Sequence, residues 1–300
     1  MRLQRAFLLA LLGVLWPAWT IQAAGFSVVP MLQEVTLDER TTTETVNVAV
    51  TNETDISATF ELFVIDFSGL DESGGVAFLG ATGELERKYA LANWMQPEMA
   101  NITLAPREER TVKLRIENRD DLSPGGHYGA LIFKDVSPTP LEEPSVAISQ
   151  LFSSLVFVKK IGGAQYGLEL AAIGYERPWF SFDTDITSRF KNTGNVHVVP
   201  RGELRVTDPL GRLTYRGVLN EGSTLLLPES SRAYSTKLFL VEKAFVPGYY
   251  TLNFSYRYDG KVKSETHTER FFLIPKQGFM AFAAIISILT LSFWIRRRFF

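Results

Sequence analysis

The stretch FKNTGNVHVVPRGELRVTDPLG, Phe190 to Gly211, sets glycines, asparagines, a histidine and arginines close together. Such residues can cradle a phosphate or hold a metal, and they can equally turn a chain between strands. A phosphate cradle needs a glycine loop that opens a helix. Here strand-like patterns lie on both sides. In RGELRVTD, Leu204 and Val206 alternate with Glu203, Arg205 and Thr207, the period of a half-buried strand. Asn192, Gly194 and Asn195 are residue types that tolerate left-handed backbone, so a turn between strands is the preferred reading and a ligand site the alternative. His197 alternates with Val196 and Val198 and is expected on one strand face.

The same period of two runs through the chain. Val112, Leu114 and Ile116 alternate with Thr111, Lys113, Arg115 and Glu117, and Val46, Val48 and Val50 with Thr45, Asn47 and Ala49. In YYTLNFSYRYDG, Tyr250, Leu252, Phe254, Tyr256 and Tyr258 oppose Thr251, Asn253, Ser255 and Arg257. Each pattern buries one face and wets the other, as sandwich strands do. Asp259-Gly260 signals a hairpin with a primed turn. Between the termini no helical period is sustained; the segments 70–75 and 81–94 leave room for a helical turn.

A strand–turn–strand plan occurs twice. LAPREERTVKLRI (104–116) and LLPESSRAYSTKLFL (226–240) both place an arginine four residues after a proline, Pro106 to Arg110 and Pro228 to Arg232. SPGGHYGALIF and VPGYYTLNF follow, and each copy is preceded by a strand ending at Asn52 or Asn192. Order and spacing together predict two similar all-β domains in tandem, over 25–163 and 164–274. The proline segment 135–146 is then a long loop inside the first domain, and Lys159–Gln165 the junction.

The ends differ from this pattern. Arg2 and Arg5, the apolar run 6–16 and the small residues 22–25 form a signal-peptide pattern over 1–24, with a retained anchor as the alternative. The charge-free run Phe279–Ile295 is followed by Arg296, Arg297 and Arg298. It is expected to be a transmembrane helix, with 296–300 as a cytoplasmic basic tail and the β-domains extracytoplasmic. The fold class expected is all-β: two immunoglobulin-like β-sandwiches plus one C-terminal transmembrane helix.

Composition narrows function. With 31 Lys+Arg against 33 Asp+Glu, the net charge of −2 gives no electrostatic footprint for nucleic acid. The absence of cysteine excludes disulfides, thiolate metal sites and cysteine nucleophiles. His127, His197 and His267 have no HExxH or HxH spacing, and no G-x-S-x-G elbow is present. Glu265, His267 and Glu269 share a strand face, where a solvated face is the preferred reading over a weak metal site. The acidic clusters in GLDESGG and NRDDLSPGG lack the alternation of a calcium loop and read as exposed turns. IPKQG (274–278) has the layout of a sortase signal, but Gln277 stands where the signal's threonine would be; the preferred reading is a juxtamembrane turn. No catalytic, cofactor-binding or metal-ligating residue is assigned.

The runs 102–133 and 190–258 resemble the two extracellular domains of bacterial WxL-interacting proteins. That family's plan is a signal peptide, two immunoglobulin-like domains and a C-terminal helix with a basic tail. The first domain also resembles periplasmic fimbrial chaperones in its Trp94…Pro106…Arg110 run. The first resemblance implies a membrane-anchored, non-enzymatic envelope protein that presents its domains to a surface-protein or cell-wall glycan partner. The second implies a membrane-tethered chaperone or accessory factor for surface-structure assembly. Neither maps a ligand residue onto this chain.

Overall fold

The computed structural model describes residues 25–78, 87–137, 150–175 and 185–299. The signal-peptide pattern over 1–24 and residues 138–146 of the proline segment lie outside them. The first ten strands are β1 (Phe26–Val29), β2 (Leu32–Leu37), β3 (Thr43–Asn52), β4 (Ala58–Gly69), β5 (Val76–Phe78), β6 (Met95–Pro97), β7 (Asn101–Leu104), β8 (Glu109–Glu117), β9 (Gly125–Asp135) and β10 (Leu151–Lys160). They form two sheets, β1-β3-β8-β6 and β2-β10-β9-β4-β5, with β7 added beside β4. The chain leaves one sheet and joins the other at the cis Val29–Pro30 bond. The next strands are β11 (Leu168–Gly174), β12 (Asp185–Asn192), β13 (Arg201–Thr207), β14 (Leu213–Leu219), β15 (Ser231–Lys237), β16 (Phe239–Leu240), β17 (Gly248–Arg257) and β18 (Glu265–Leu273). Their sheets are β11-β12-β15 and β16-β14-β13-β17-β18. The segment 161–167 joins the two sandwiches. Two short 3-10 turns, Arg87–Tyr89 and Ala92–Trp94, occupy part of the region where a helical turn was allowed.

The alternating residues do what their period demands. Val46 stands opposite Leu114 and Val48 opposite Val112, and all four point into the first core against Leu62, Leu131, Phe133 and Val156. Leu204 and Val206 pair across from Phe254 and Leu252 in the second core. Burying such side chains stabilises each sandwich by roughly 1.5–3 kcal/mol apiece. Without cysteine, packing and hydrogen bonds must supply the rest.

The sequence repeat is a structural repeat. Arg107 (φ 60°) and Glu229 (φ 58°), each directly after the proline, adopt left-handed backbone. Each sits in a turn closed by an N–H to a carbonyl three residues back, Glu108 to Ala105 at 3.2 Å and Ser230 to Leu227 at 3.4 Å. A fully buried asparagine grips each turn. The Asn52 Nδ2 donates to the carbonyls of Ile56 (2.8 Å) and Ala105 (3.0 Å), and its Oδ1 accepts the Thr54 N–H (2.9 Å). The Asn192 Nδ2 donates to Val196 (2.8 Å) and Leu226 (3.0 Å), and its Oδ1 accepts the Gly194 N–H (2.9 Å).

Two turn readings are corrected. None of Asn192, Gly194 and Asn195 is left-handed; Asn192 ends a strand with its amide buried. Gly194 is small because a Cβ would press on the Gln165 carbonyl and come within 2.7 Å of the Gly167 nitrogen. Asp259-Gly260 does join two antiparallel strands, but Tyr256 pairs with Glu265, so the connection is longer than a two-residue primed turn. Gly260 alone has positive φ (80°) there. The Asp259 carboxylate instead receives the Val199 N–H (3.0 Å) and Arg201 (3.2 Å).

The last element is α1 (Lys276–Phe299), long and apolar enough to cross a membrane, with none of its apolar window buried.

Asn192→Ala removes the partners of the Val196 carbonyl and the Gly194 N–H, while the Leu226 carbonyl keeps the Val198 N–H (3.1 Å); the loss is expected at about 2–4 kcal/mol. The exposed neighbour Thr193→Ala is expected to change stability by about 0.5 kcal/mol or less. Urea unfolding of both variants checks this; equal midpoints would refute the clamp.

Candidate functional site

β9 is buried from Gly125 to Phe133 without interruption. A strand buried on both faces reads as a continuous apolar run rather than an alternating one, and GALIF is such a run. Its inner face joins the first core. Its outer face, with Phe67 of β4 and Phe157 of β10, forms a second apolar cluster of Tyr128, Ala130 and Ile132. Leu225 and Leu227 of the second sandwich pack against that cluster. The site to be explained is therefore the junction where one sandwich covers part of the other's outer sheet.

His197 is the centre of this junction. Its ring packs edge-on against Tyr128 (5.7 Å between centroids) and Phe157 (5.4 Å). Its backbone N–H donates to the Tyr128 hydroxyl at 2.9 Å, and its Nδ1 lies 3.2 Å from the same oxygen. On the far side its Nε2 is 3.1 Å from Glu34 Oε1, which Lys159 Nζ approaches to 3.2 Å. Tyr128 and His197 are buried, at 1% exposure each, while Glu34 reaches solvent. Burial pushes the Tyr128 hydroxyl well above the usual tyrosine range. The hydrogen bond from His197, followed by the charges of His197 and Lys159, outweighs burial and holds Glu34 at about 2.

Further contacts flank the ring cluster. Gly126 N–H donates to the Asn195 carbonyl (2.8 Å), and Ala233 N–H to that of Glu72 (2.9 Å). Arg189 pairs with Glu72 (2.9 Å), and Lys88 and Tyr89 both reach Glu229 (2.6 and 2.8 Å). Between these contacts is a cavity of about 480 Å³, lined by Leu32, Glu34 and Phe157 on one side and Val199, Arg201 and Leu226 on the other.

Next to the cavity, β10 has an open edge. β2 pairs in parallel with Leu155–Lys160 only. Among the described residues, no strand pairs with the outer side of Leu151–Ser153; Ser154 is buried, its Oγ donating to the Pro30 carbonyl (2.7 Å), where β1 passes close to β10. Leu151 is 61% exposed there.

The candidate residues of the sequence are dispersed. His197 faces Tyr128 across the junction. His127 is buried elsewhere, between the carbonyls of Ala90 (3.0 Å) and Ser123 (2.7 Å), and burial holds its pKa below the usual histidine range. His267 lies 3.4 Å from Glu269, whereas Glu265 is engaged by Lys261 and Tyr256. Asp71 of the first acidic cluster caps its own turn, receiving Ser73 N–H at 2.8 Å. The roles of Tyr128, Glu34 and Lys159 have no motif in the sequence. Their only sign is the unbroken apolar run of β9, which announces that something covers its second face.

No family model matches the chain, and no curated protein does. Solved structures align with it over most of its length at low similarity. A chain of the chaperone–tip adhesin complex of CFA/I fimbriae biogenesis aligns over 84% of this chain and 100% of its own, at 11% identity and a TM-score of 0.42. The E. coli chaperone DraB aligns over 82% and 96%, at 13% identity and 0.37. The Salmonella enterica SafA pilin–SafB chaperone complex contributes a chain aligned over 83% and 96%, at 9% identity and 0.38. These are fimbrial chaperone structures, the second of the two likenesses in the sequence; the WxL-interacting likeness gains no support. Similarity this distant supplies no functional argument, so function must be read from the geometry of this chain.

Glu34 titrates at about 2 in the folded protein against an ordinary value of 4.5. Its contribution to stability is therefore complete above pH 4.5 and is lost as pH falls toward 2. Glu34→Gln is expected to lower the melting temperature at neutral pH, with the difference from wild type closing across that window in calorimetry. A difference undiminished at pH 2 would show that Glu34 acts by packing alone.

Proposed function

We propose that the chain is a non-enzymatic binding module of the bacterial cell envelope. In this reading α1 tethers it to the membrane, and the two extracytoplasmic sandwiches hold an extended segment of a protein partner along β10. The open edge is the observation that supports it. Leu155 donates its N–H outward to the Met31 carbonyl at 2.8 Å. Backbone groups on one side of a strand recur every second residue, so Ser153 and Leu151 also present theirs outward. An unpaired edge is a template for a further strand. Main-chain bonds would give affinity, and the exposed Leu151 side chain would contribute selectivity. Such an edge suits a polypeptide in strand conformation, which is why a protein is proposed as the partner.

The same edge favours a specific form of this role, an accessory factor for assembling surface structures. A factor that lends an edge strand can hold a partner whose own sheet is incomplete until assembly. The arginines after α1 support this orientation, with that end cytoplasmic and both sandwiches outside, by the positive-inside rule.

A photoreactive side chain at Leu151, in the full chain in its own envelope, is expected to cross-link to a protein. The same group at Val262, 95% exposed in the β17–β18 connection, serves as the control. Ser153→Pro removes an outward N–H and leaves the β9 side of the ladder intact; it is expected to reduce the adduct about ten-fold. Adducts with glycan alone, or an adduct indifferent to Ser153→Pro, would overturn the edge-pairing reading.

A further inference from the structure

The end of the second sandwich that meets α1 carries a ring of exposed apolar side chains. Only Ile274 and Pro275 separate β18 from the helix, and Phe279 N–H already donates to the Pro275 carbonyl at 2.9 Å. In the first helical turn Gly278 rests on the main chain of Phe245, and a Cβ there would lie 3.6 Å from Pro247. One step further, a Cβ on Gly248 would lie 2.8 Å from Pro209. The β13–β14 hairpin tip, the 241–247 loop and the base of α1 therefore form one continuous seam.

Around this seam Leu210 is 67% exposed, Val241 56%, Phe245 50%, Tyr249 67% and Phe272 46%. They are held outward by the backbone. Asp208, itself buried, receives the N–H groups of Leu210 and Arg212, both at 2.9 Å, and fixes the hairpin tip. The N–H groups of Val241 and Glu242 both donate to Thr214, at 2.8 and 3.3 Å, and anchor the loop. Tyr249 and Phe272 brace each other edge-to-face at 5.4 Å. A contiguous exposed apolar patch on a folded domain marks a surface that something covers.

We propose that what covers it is the lipid surface: the collar of Leu210, Val241, Phe245, Tyr249 and Phe272 sinks into the outer boundary of the bilayer. This rests on the reading that α1 spans the membrane. The two-residue connection then puts the collar at the depth where the helix enters, and no soluble partner could reach it without displacing lipid. Aromatic and aliphatic tips beside a membrane-crossing helix match the headgroup–acyl boundary. The exposed Lys243 and Lys276 border the same seam and suit lipid phosphates. The second sandwich thus lies on the membrane instead of hanging from it, at a set height and tilt.

The chain has no cysteine, so single-cysteine spin labels can be placed in the full-length protein without background. Labels at Phe245→Cys, Leu210→Cys, Ile56→Cys and Leu289→Cys are compared in nanodiscs of phosphatidylcholine and phosphatidylglycerol. The collar labels are expected to be at least about three-fold less accessible to a nickel chelate than the one at Ile56, with oxygen accessibility placing them at the headgroup–acyl boundary. The Leu289 label reports the span itself. If it lies in the acyl core while the collar labels match Ile56, the collar inference is wrong and the span stands. If it is open to water, span and collar fall together.

Discussion

A buried carboxamide closes each sandwich, and the rest of the architecture depends on it. Asn52 and Asn192 each end a strand, and each uses both amide hydrogens and its oxygen on backbone groups of neighbouring turns. A buried amide is costly when any of these positions is left open and rigid when all are filled. In a chain without cysteine it binds the strand end to the Leu-x-Pro turn that launches the next strand. The left-handed residue after each proline completes the same device. Two copies of one closure explain why two sandwiches with different strand orders share a sequence rhythm.

The first sandwich is finished by the second. Its six-stranded sheet is apolar on both faces, and only one face can enter its own core. The outer face receives Leu225, Leu227 and His197, with the Tyr128 hydroxyl satisfied by the His197 backbone N–H. Glu34 and Lys159 finish the polar rim. Surface ion pairs such as Lys88–Glu229 add little by themselves; the buried rings, the buried Tyr128 hydroxyl and the backbone bonds of Gly126 and Ala233 set how the sandwiches meet. That docking creates the cavity, whereas the edge of β10 follows from the short reach of β2 within the first sandwich.

The two proposed surfaces, for membrane and for partner, lie on different sandwiches. The apolar collar belongs to the second, where β18 runs into α1, and the open strand edge to the first. A sandwich seated on the bilayer would carry the other at a defined distance from it, with the Tyr128–His197 contact as the rigid elbow. The short connection to α1 and the buried elbow then act on the same outcome, which is where the open edge points.

Much of the fold was written in local pattern. The period of two in 43–52, 109–117, 201–207 and 248–257 reflects backbone geometry alone, because side chains on any strand alternate between faces. The duplicated proline turns and the charge-free run before three arginines are local in the same way. Their neighbours were misread where a side chain acts at a distance: Asn192 passes for a turn former until Leu226 is brought beside it, and Asp259 until Val199 is. The Tyr128–His197 contact joins residues 69 apart in sequence, and Glu34 lies 163 from His197. The tertiary structure alone decided those contacts, the cavity and the short reach of β2 along β10. Alternation tells a strand which residues to bury, but the partner of a buried face is chosen by packing between sheets, and no local period encodes that.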